Sequence, residues 1–430
     1  MADPNESLVE IVGKDKFITK SDDEVLDLFK DAFKTELNHL KNASPTVESG
    51  ATKKWEWTPS QSVFGEDFHE VNRTLTSMLA IKWVLAGDYE TFTSGQNDRK
   101  LEQGSFMKLR EFFRARLHTP DDIYALIVAI AIDDIGKDKA LAERVGIPEK
   151  NHGEVLLKAV KMKLVPALET ITDLVKKNII VQSLRIGSKL DISQIVQGET
   201  VPHSMLALDD GQGLQDAFDI KAMVTLLDVG GAAAHSDPRG CIVMTQPIFS
   251  HYIKAIELLD EYRKMGNPDW PKCYNEYLAY RADILKADGF ASLTTNNLEQ
   301  RALLRLLCMG RVETREKAEQ FHNAFSKLPS STKTDLVKGL TVNGIEDGTA
   351  ILPYYAPGIL SEVLRNMPEG RMVQYLKVFM KFLAGVYDGS EPEPGKPGAL
   401  EERDLAPMQD MVKSSEFKED PELLVRTQLS

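Results

Sequence analysis

Apolar residues recur along most of this chain at spacings of three and four, the period that turns one face of an α-helix toward a core. Ser21-Asp22-Asp23-Glu24 is a helix start, a capping serine followed by acids in the first turn, and Val25, Leu28, Phe29 and Phe33 follow it at helical spacing. Val71, Leu75, Met78, Leu79 and Trp83 predict a helix over 68–85, with His69 at its start. A basic helix is expected over 104–117, carrying Lys108, Arg110, Arg114 and Arg116. Thr119-Pro120-Asp121-Asp122 is another start signal, with proline in the first turn. The uncharged run 123–132 behind it predicts an apolar helix that ends on Asp133-Asp134, where Gly136 lets the chain turn. Further helices are expected around Leu156, Val160 and Leu164, around Met223, Leu226 and Leu227, and over 247–264, 300–308, 314–328 and 358–387. Only 179–198 has β character.

The remaining stretches read as connections. Residues 43–65 are rich in Ser, Thr, Pro and Gly and carry Trp55 and Trp57, which are expected to pack over the core. Residues 199–216 and 390–398 read as loops. A loosely held lead-in is expected over 1–20 and an acidic Pro/Gly-containing tail over 389–430. No repeat and no linker composition interrupts 21–388. The expected fold is therefore all-α, a single large helical globular domain.

Composition narrows the function more than it identifies it. The 430 residues are 42% hydrophobic and 27% charged, as in an ordinary globular protein, with a formal net charge of -13. That charge gives no global attraction to nucleic acid, and DNA is not an expected partner. Cys241, Cys273 and Cys308 are far apart and form no CxxC pair, which fits reduced thiols in a cytoplasmic protein. The polar, acidic start is not a signal peptide, and no apolar run is long enough for a bilayer.

The chemistry concentrates at the end of the apolar run. Carboxylates are rarely buried unless they are paired or hold a metal, so two adjacent acids at the end of an apolar helix need a partner. Asp133 and Asp134 are the candidate catalytic residues. His69, His152 and Asp228 are chemistry-bearing residues placed in order around them. No glycine-rich nucleotide loop and no Gly-x-Ser-x-Gly elbow is present. His235-Ser236-Asp237 reads as a helix end and turn, because neighbours in sequence do not form a triad in space.

The order His69, Asp133-Asp134-Ile135-Gly136-Lys137, His152, Asp228 resembles the HD-domain superfamily of helical metalloproteins, over roughly 65–240. The resemblance implies a degenerate HD-like core with extra C-terminal helices. It also implies a divalent metal (Mg, Mn or Fe) held by His69, Asp133, Asp134, His152 and Asp228, and a phosphohydrolase or oxygenase reaction. Asp133 stands where that family has the histidine of its His-Asp pair, which would harden the site toward Mg or Mn. A non-catalytic binding protein on a decayed HD scaffold is the structural alternative. Asp133, Asp134 and Asp138 also spell the Asp-Asp-x-x-x-Asp motif of class I terpene cyclases, but the second metal motif of that family does not appear.

The helicity, acidity and central Asp pair are also similar to the fungal arginine-containing cyclodipeptide synthases, whose signature is Asp-Asp-x-x-Glu. Asp133 and Asp134 match it; Lys137 stands at the fifth position. That resemblance implies an enzyme of secondary metabolism that joins arginine to a second amino acid from aminoacyl-tRNA, with no cofactor. Asp133 and Asp134 would orient the guanidinium or take a proton, and Asp138, Arg114 and Arg116 would bind substrate, with the basic helix meeting the tRNA backbone.

Overall fold

In a computed structural model, residues 6–44, 57–148, 151–209, 214–390 and 392–427 are described. Their regular elements are helices except for two short strands. The chain divides into two compact units, Met1–Leu190 with Asp210–Ile253, and Asp191–Asp209 with Lys254–Ser430. The hydrophobic pattern predicted one body over 21–388. The boundary after Ile253 falls inside a helix, Gln246–Tyr262, so no linker composition marks it.

Apart from the boundary helix Gln246–Tyr262, helices of ten residues or more carry numbers. The first unit holds α1 (Asp22–Ala32), α2 (Lys34–Ala43), α3 (His69–Ala86), α4 (Gln103–Arg114), α5 (Pro120–Asp133), α6 (His152–Lys161), α7 (Leu174–Gly187) and α8 (Leu214–Gly231). Local chemistry sets several starts. Ser21 and Glu24 form a reciprocal capping box on α1, and Thr119 and Asp122 form one on α5. The core is made by α3, α5, α7 and α8, which pack on one another. α8 is buried nearly all round, from Ala217 and Phe218 through Leu226, Leu227 and Val229.

Two expectations for this unit are corrected. The β character at 179–198 is overridden: Asp173 caps α7 by accepting from the backbone of Val175 and Lys176, and Ile180 and Leu184 then bury one helical face. The lead-in is also ordered from Glu6. A Ser7–Glu10 capping box starts a short helix, Leu8–Gly13, whose Leu8, Ile11 and Val12 are buried. Trp57 is 43% exposed rather than packed over the core, and Trp55 lies outside the described residues.

The second unit holds α9 (Trp270–Ala287), α10 (Leu298–Met309), α11 (Arg315–Ser326), α12 (Ser330–Thr341), α13 (Ala356–Asn366) and α14 (Met372–Val386). Strands β1 (Thr349–Tyr354) and β2 (Ala399–Asp404) pair in parallel, Thr349 opposite Ala399. The stretch expected as an acidic tail is therefore built into this unit. Beyond β2, Leu405, Val412, Phe417 and Leu424 are fully buried, and the Tyr375 hydroxyl donates to the Lys418 carbonyl at 2.9 Å. Its apolar residues are too sparse to show a period, but these four are each buried in the core of the unit. No helix among the described residues is long and apolar enough to cross a membrane.

Glu199 gives the second unit a pH dependence. It is 5% exposed and accepts from the backbone N–H groups of Tyr355 and Ala356 at the start of α13. Burial, reinforced by Asp191 and Glu402, pushes its carboxyl from the usual 4.5 up to about 8. A carboxyl raised on folding adds most stability below its unfolded value and loses it as pH rises through its folded value. The unfolding free energy of the second unit is therefore expected to fall between about pH 4.5 and pH 8, by at most about 1.4 kcal/mol per pH unit. Glu199→Gln should flatten that fall. Urea titrations of both proteins from pH 5 to 9 check it, and parallel profiles would remove Glu199 as the cause.

Candidate functional site

α5 delivers the acid pair. Its apolar residues Leu126–Ile132 are at most 3% exposed, and Asp133 ends the helix with Asp134 as its C-terminal cap. A single 3₁₀ turn, Ile135–Lys137, follows. Gly136 serves close approach rather than a special turn: a Cβ there would lie 2.0 Å from the His152 carbonyl oxygen. That contact brings the start of α6 against the turn and sets His152 Nε2 3.9 Å from Asp134 Oδ1.

α3 supplies the other wall. Its second and fifth residues are Glu70 and Arg73, one helical turn apart. Lys137 Nζ lies 2.8 Å from Glu70 Oε2 and 2.9 Å from Asp134 Oδ2, so one ammonium joins α3 to the end of α5. Arg73 Nη1 reaches Glu70 at 3.2 Å, and its Nη2 reaches Asp228 on α8 at 3.4 Å. The α3–α8 contact depends on Gly231, where a Cβ would meet Ser77 Oγ at 2.3 Å and the Arg73 carbonyl oxygen at 2.4 Å. Small residues at the end of α8 thus allow the close packing that puts Asp228 beside Arg73.

The acids of this cluster have different surroundings. Asp134 is 7% exposed, whereas the side chains of Asp133 and Asp228 are 24% and 36% exposed. Burial pushes the Asp134 carboxyl up, but Lys137, Arg73 and His152 outweigh it and hold it well below the usual carboxylate range. Asp228 goes the other way: burial raises its carboxyl against the pull of Arg73, and the Asp134 charge adds to the rise. Lys137 is held above its usual value, with burial opposed by Asp134. Asp133 faces Lys221 Nζ at 3.9 Å, too far for a hydrogen bond.

The five residues expected to bind metal do not gather around one point. His69 stacks on His235, with ring centroids 4.6 Å apart, and the Nδ1 of His235 is buried without a hydrogen-bond partner. Asp134 is taken by Lys137, and Asp228 by Arg73. Among the described residues no three His, Cys, Asp or Glu side chains form a cation site. A divalent ion does not fit this arrangement of donors, because the ammonium of Lys137 already sits on Asp134 and the guanidinium of Arg73 on Asp228.

The other expected substrate residues lie elsewhere. Asp138 is 2% exposed and caps the helix Lys139–Val145; its carboxylate accepts from Ala140 N and Asn42 Nδ2 and meets His39 Nδ1 at 2.7 Å. Arg110 and Arg114 both donate to the Leu85 carbonyl near the end of α3. Arg116 lies beyond α4, pairs with Asp219 at 2.9 Å and stacks on Phe112. Glu70, Arg73, Lys221 and His235 are the site residues that sequence reasoning missed. The usable signal was the turn-spaced Glu70 and Arg73 directly behind His69.

The model of a family of unknown function, DUF6829, matches residues 26–424. No curated protein and no solved structure matches the chain.

Proposed function

The chain belongs to the DUF6829 family, and we propose that it is an enzyme of small-molecule biosynthesis that takes an amino-acid substrate by its cationic side chain at Asp133, with Asp228 beside it. The observation that carries this reading is the surplus of acid at the cluster. Glu70, Asp133, Asp134 and Asp228 stand against Arg73, Lys137 and Lys221, and the least tightly paired carboxylate, Asp133, is also partly open to solvent. A guanidinium or ammonium offers the fixed donors that such carboxylates accept.

Among amino acids, arginine matches the resemblance to the arginine-containing cyclodipeptide synthases. In that reaction the α-amine of one aminoacyl ester attacks the carbonyl carbon of the other. A C–N bond forms, the C–O ester bond breaks, and the tRNA hydroxyl leaves; the remaining free α-amine then attacks the second ester, forming the second C–N bond, breaking that C–O bond and releasing the second tRNA hydroxyl. The roles divide by environment. Asp133 orients the guanidinium. Asp228, held above the usual carboxylate range, takes the proton of the attacking ammonium. Asp134 keeps its charge and fixes Lys137 in place.

The test is expression in a microbial host fed isotope-labelled arginine, followed by mass spectrometry of cyclic dipeptides. Label is expected in a product that falls with Asp133→Asn by at least roughly a hundredfold, as for loss of the group that positions the substrate. RNase added to an extract making the product separates aminoacyl-tRNA from free amino acid as the donor. Unchanged product from Asp133→Asn would overturn the assignment, and so would the absence of any arginine-labelled product.

A further inference from the structure

A second, separate cavity lies in the first unit, where the N-terminal turns of α5, α7 and α8 come together. Its volume is about 270 Å³. At ~30 Å³ per water molecule that is room for roughly nine waters, or an organic molecule of roughly ten heavy atoms. It is distinct from the acid cluster. Asp122 lines it from the start of α5, and Asp133 ends the same helix eleven residues later, ~16 Å along the axis at 1.5 Å per residue.

The floor is apolar, formed by Ala125, Ile180, Ile220 and Met223. At the rim Val175 is 69% exposed. An aliphatic side chain left in water at the mouth of an apolar-floored cavity is a surface that a ligand body would cover. The rim charges say what that body carries. Arg116 is spent on Asp219, and Lys176 on Asp122. Asp173 uses one oxygen to cap α7, and among the described residues its other oxygen and the Asp216 carboxylate meet no protein donor; both side chains are open to solvent. Among the described residues the rim charges without an ion-pair partner are therefore carboxylates.

We infer that this cavity binds an organic cation, a primary amine on an aromatic or aliphatic body, with the body on Ile180 and Met223 and the ammonium at Asp173 and Asp216. This inference does not rest on the reaction proposed for the acid cluster.

Isothermal titration of the full chain with tryptamine tests it, beside the neutral 3-methylindole and the anionic indole-3-propionate. Tryptamine is expected to bind at least tenfold more tightly than either. Asp173→Asn with Asp216→Asn should weaken it at least tenfold, since asparagine keeps the cap on α7 while removing the charge. Met223→Trp should abolish binding by filling the floor, with circular dichroism confirming the fold. Asp133→Asn should leave the affinity unchanged. Failure of tryptamine to bind overturns the inference, as does equal binding of the anion. Loss of binding in Asp133→Asn overturns it too, by placing the cation in the other cluster.

Discussion

Lys137→Met is expected to destabilise the first unit by about 3–5 kcal/mol at pH 7, the range found when one partner of a buried ion pair is removed. The ammonium lies within 3 Å of carboxylate oxygens on both Glu70 and Asp134. Methionine fills the stem but leaves Asp134, 7% exposed, with Arg73 as its nearest strong cation. The Lys137 side chain is itself 27% exposed, so solvent screening favours the lower end of the range. The sign with pH is opposite to that for Glu199. A carboxyl held low on folding contributes stability above its unfolded value and loses it as pH falls through its folded value. In wild type that loss lies at strongly acid pH. In the variant Asp134 is no longer held so low, so the deficit should be largest near neutrality and shrink toward pH 4. Lys137→Met with Asp134→Asn should recover most of the loss, because the unpaired charge goes too. Hydrogen exchange in α3 and α5 reads the effect in this unit. A single variant within 1 kcal/mol of wild type, or a double variant no better than the single, would show that the bridge does not hold α3 to α5.

The same cluster shows how far the sequence reaches. The position of the acid pair was legible because a ten-residue uncharged run stops on it, and burial up to that point is a local consequence of the run. The starts of α1 and α5 were legible because Ser21 and Thr119 make their caps within four residues. The order His69, Asp133, Asp134, His152, Asp228 also pointed to one neighbourhood. What chain order could not show is which cations arrive with those acids. Arg73 comes from α3, Lys221 from α8 and Lys137 from the turn after α5, and together they make an ion-pair network. Arg110 and Arg114 illustrate the converse. They read as a basic face, yet both donate to a carbonyl near the end of α3, a role set by the packing of two helices. The last forty residues were hardest to read, since one strand, whose parallel partner lies some fifty residues earlier, and four single buried side chains leave no period in the sequence.

Arg305→Met is expected to cost the second unit at least about 4 kcal/mol and to leave it partly unfolded at 37 °C. Arg305 is fully buried on α10, and its guanidinium donates to four carbonyl oxygens: Gly198 at 3.0 Å, Leu340 at 2.9 Å, Glu199 at 3.0 Å and Thr200 at 3.1 Å. The segment 198–200 belongs to this unit through those bonds, and Gly198 lies so close that a Cβ on it would meet the Arg305 carbonyl oxygen at 2.7 Å. Each carbonyl stranded away from water costs about 1–3 kcal/mol, and methionine replaces none of the donors; Leu340 keeps the Arg301 guanidinium at 3.2 Å, and the carbonyls of Gly198, Glu199 and Thr200 lose theirs. That loss outweighs the desolvation recovered by removing a buried charge, because four of the five guanidinium N–H groups were bonded. Arg305→Lys separates charge from geometry. An ammonium keeps the charge but cannot span four carbonyls with a planar fork, so it should recover less than half of the loss. Had charge alone mattered, lysine would restore the wild-type midpoint. Urea unfolding followed by the fluorescence of Trp270, which is buried in the same unit and donates to Asp209 at 2.8 Å, measures both variants. The segment Gly198–Thr200 should be the first part of the unit to lose exchange protection, since it is the segment the fork holds.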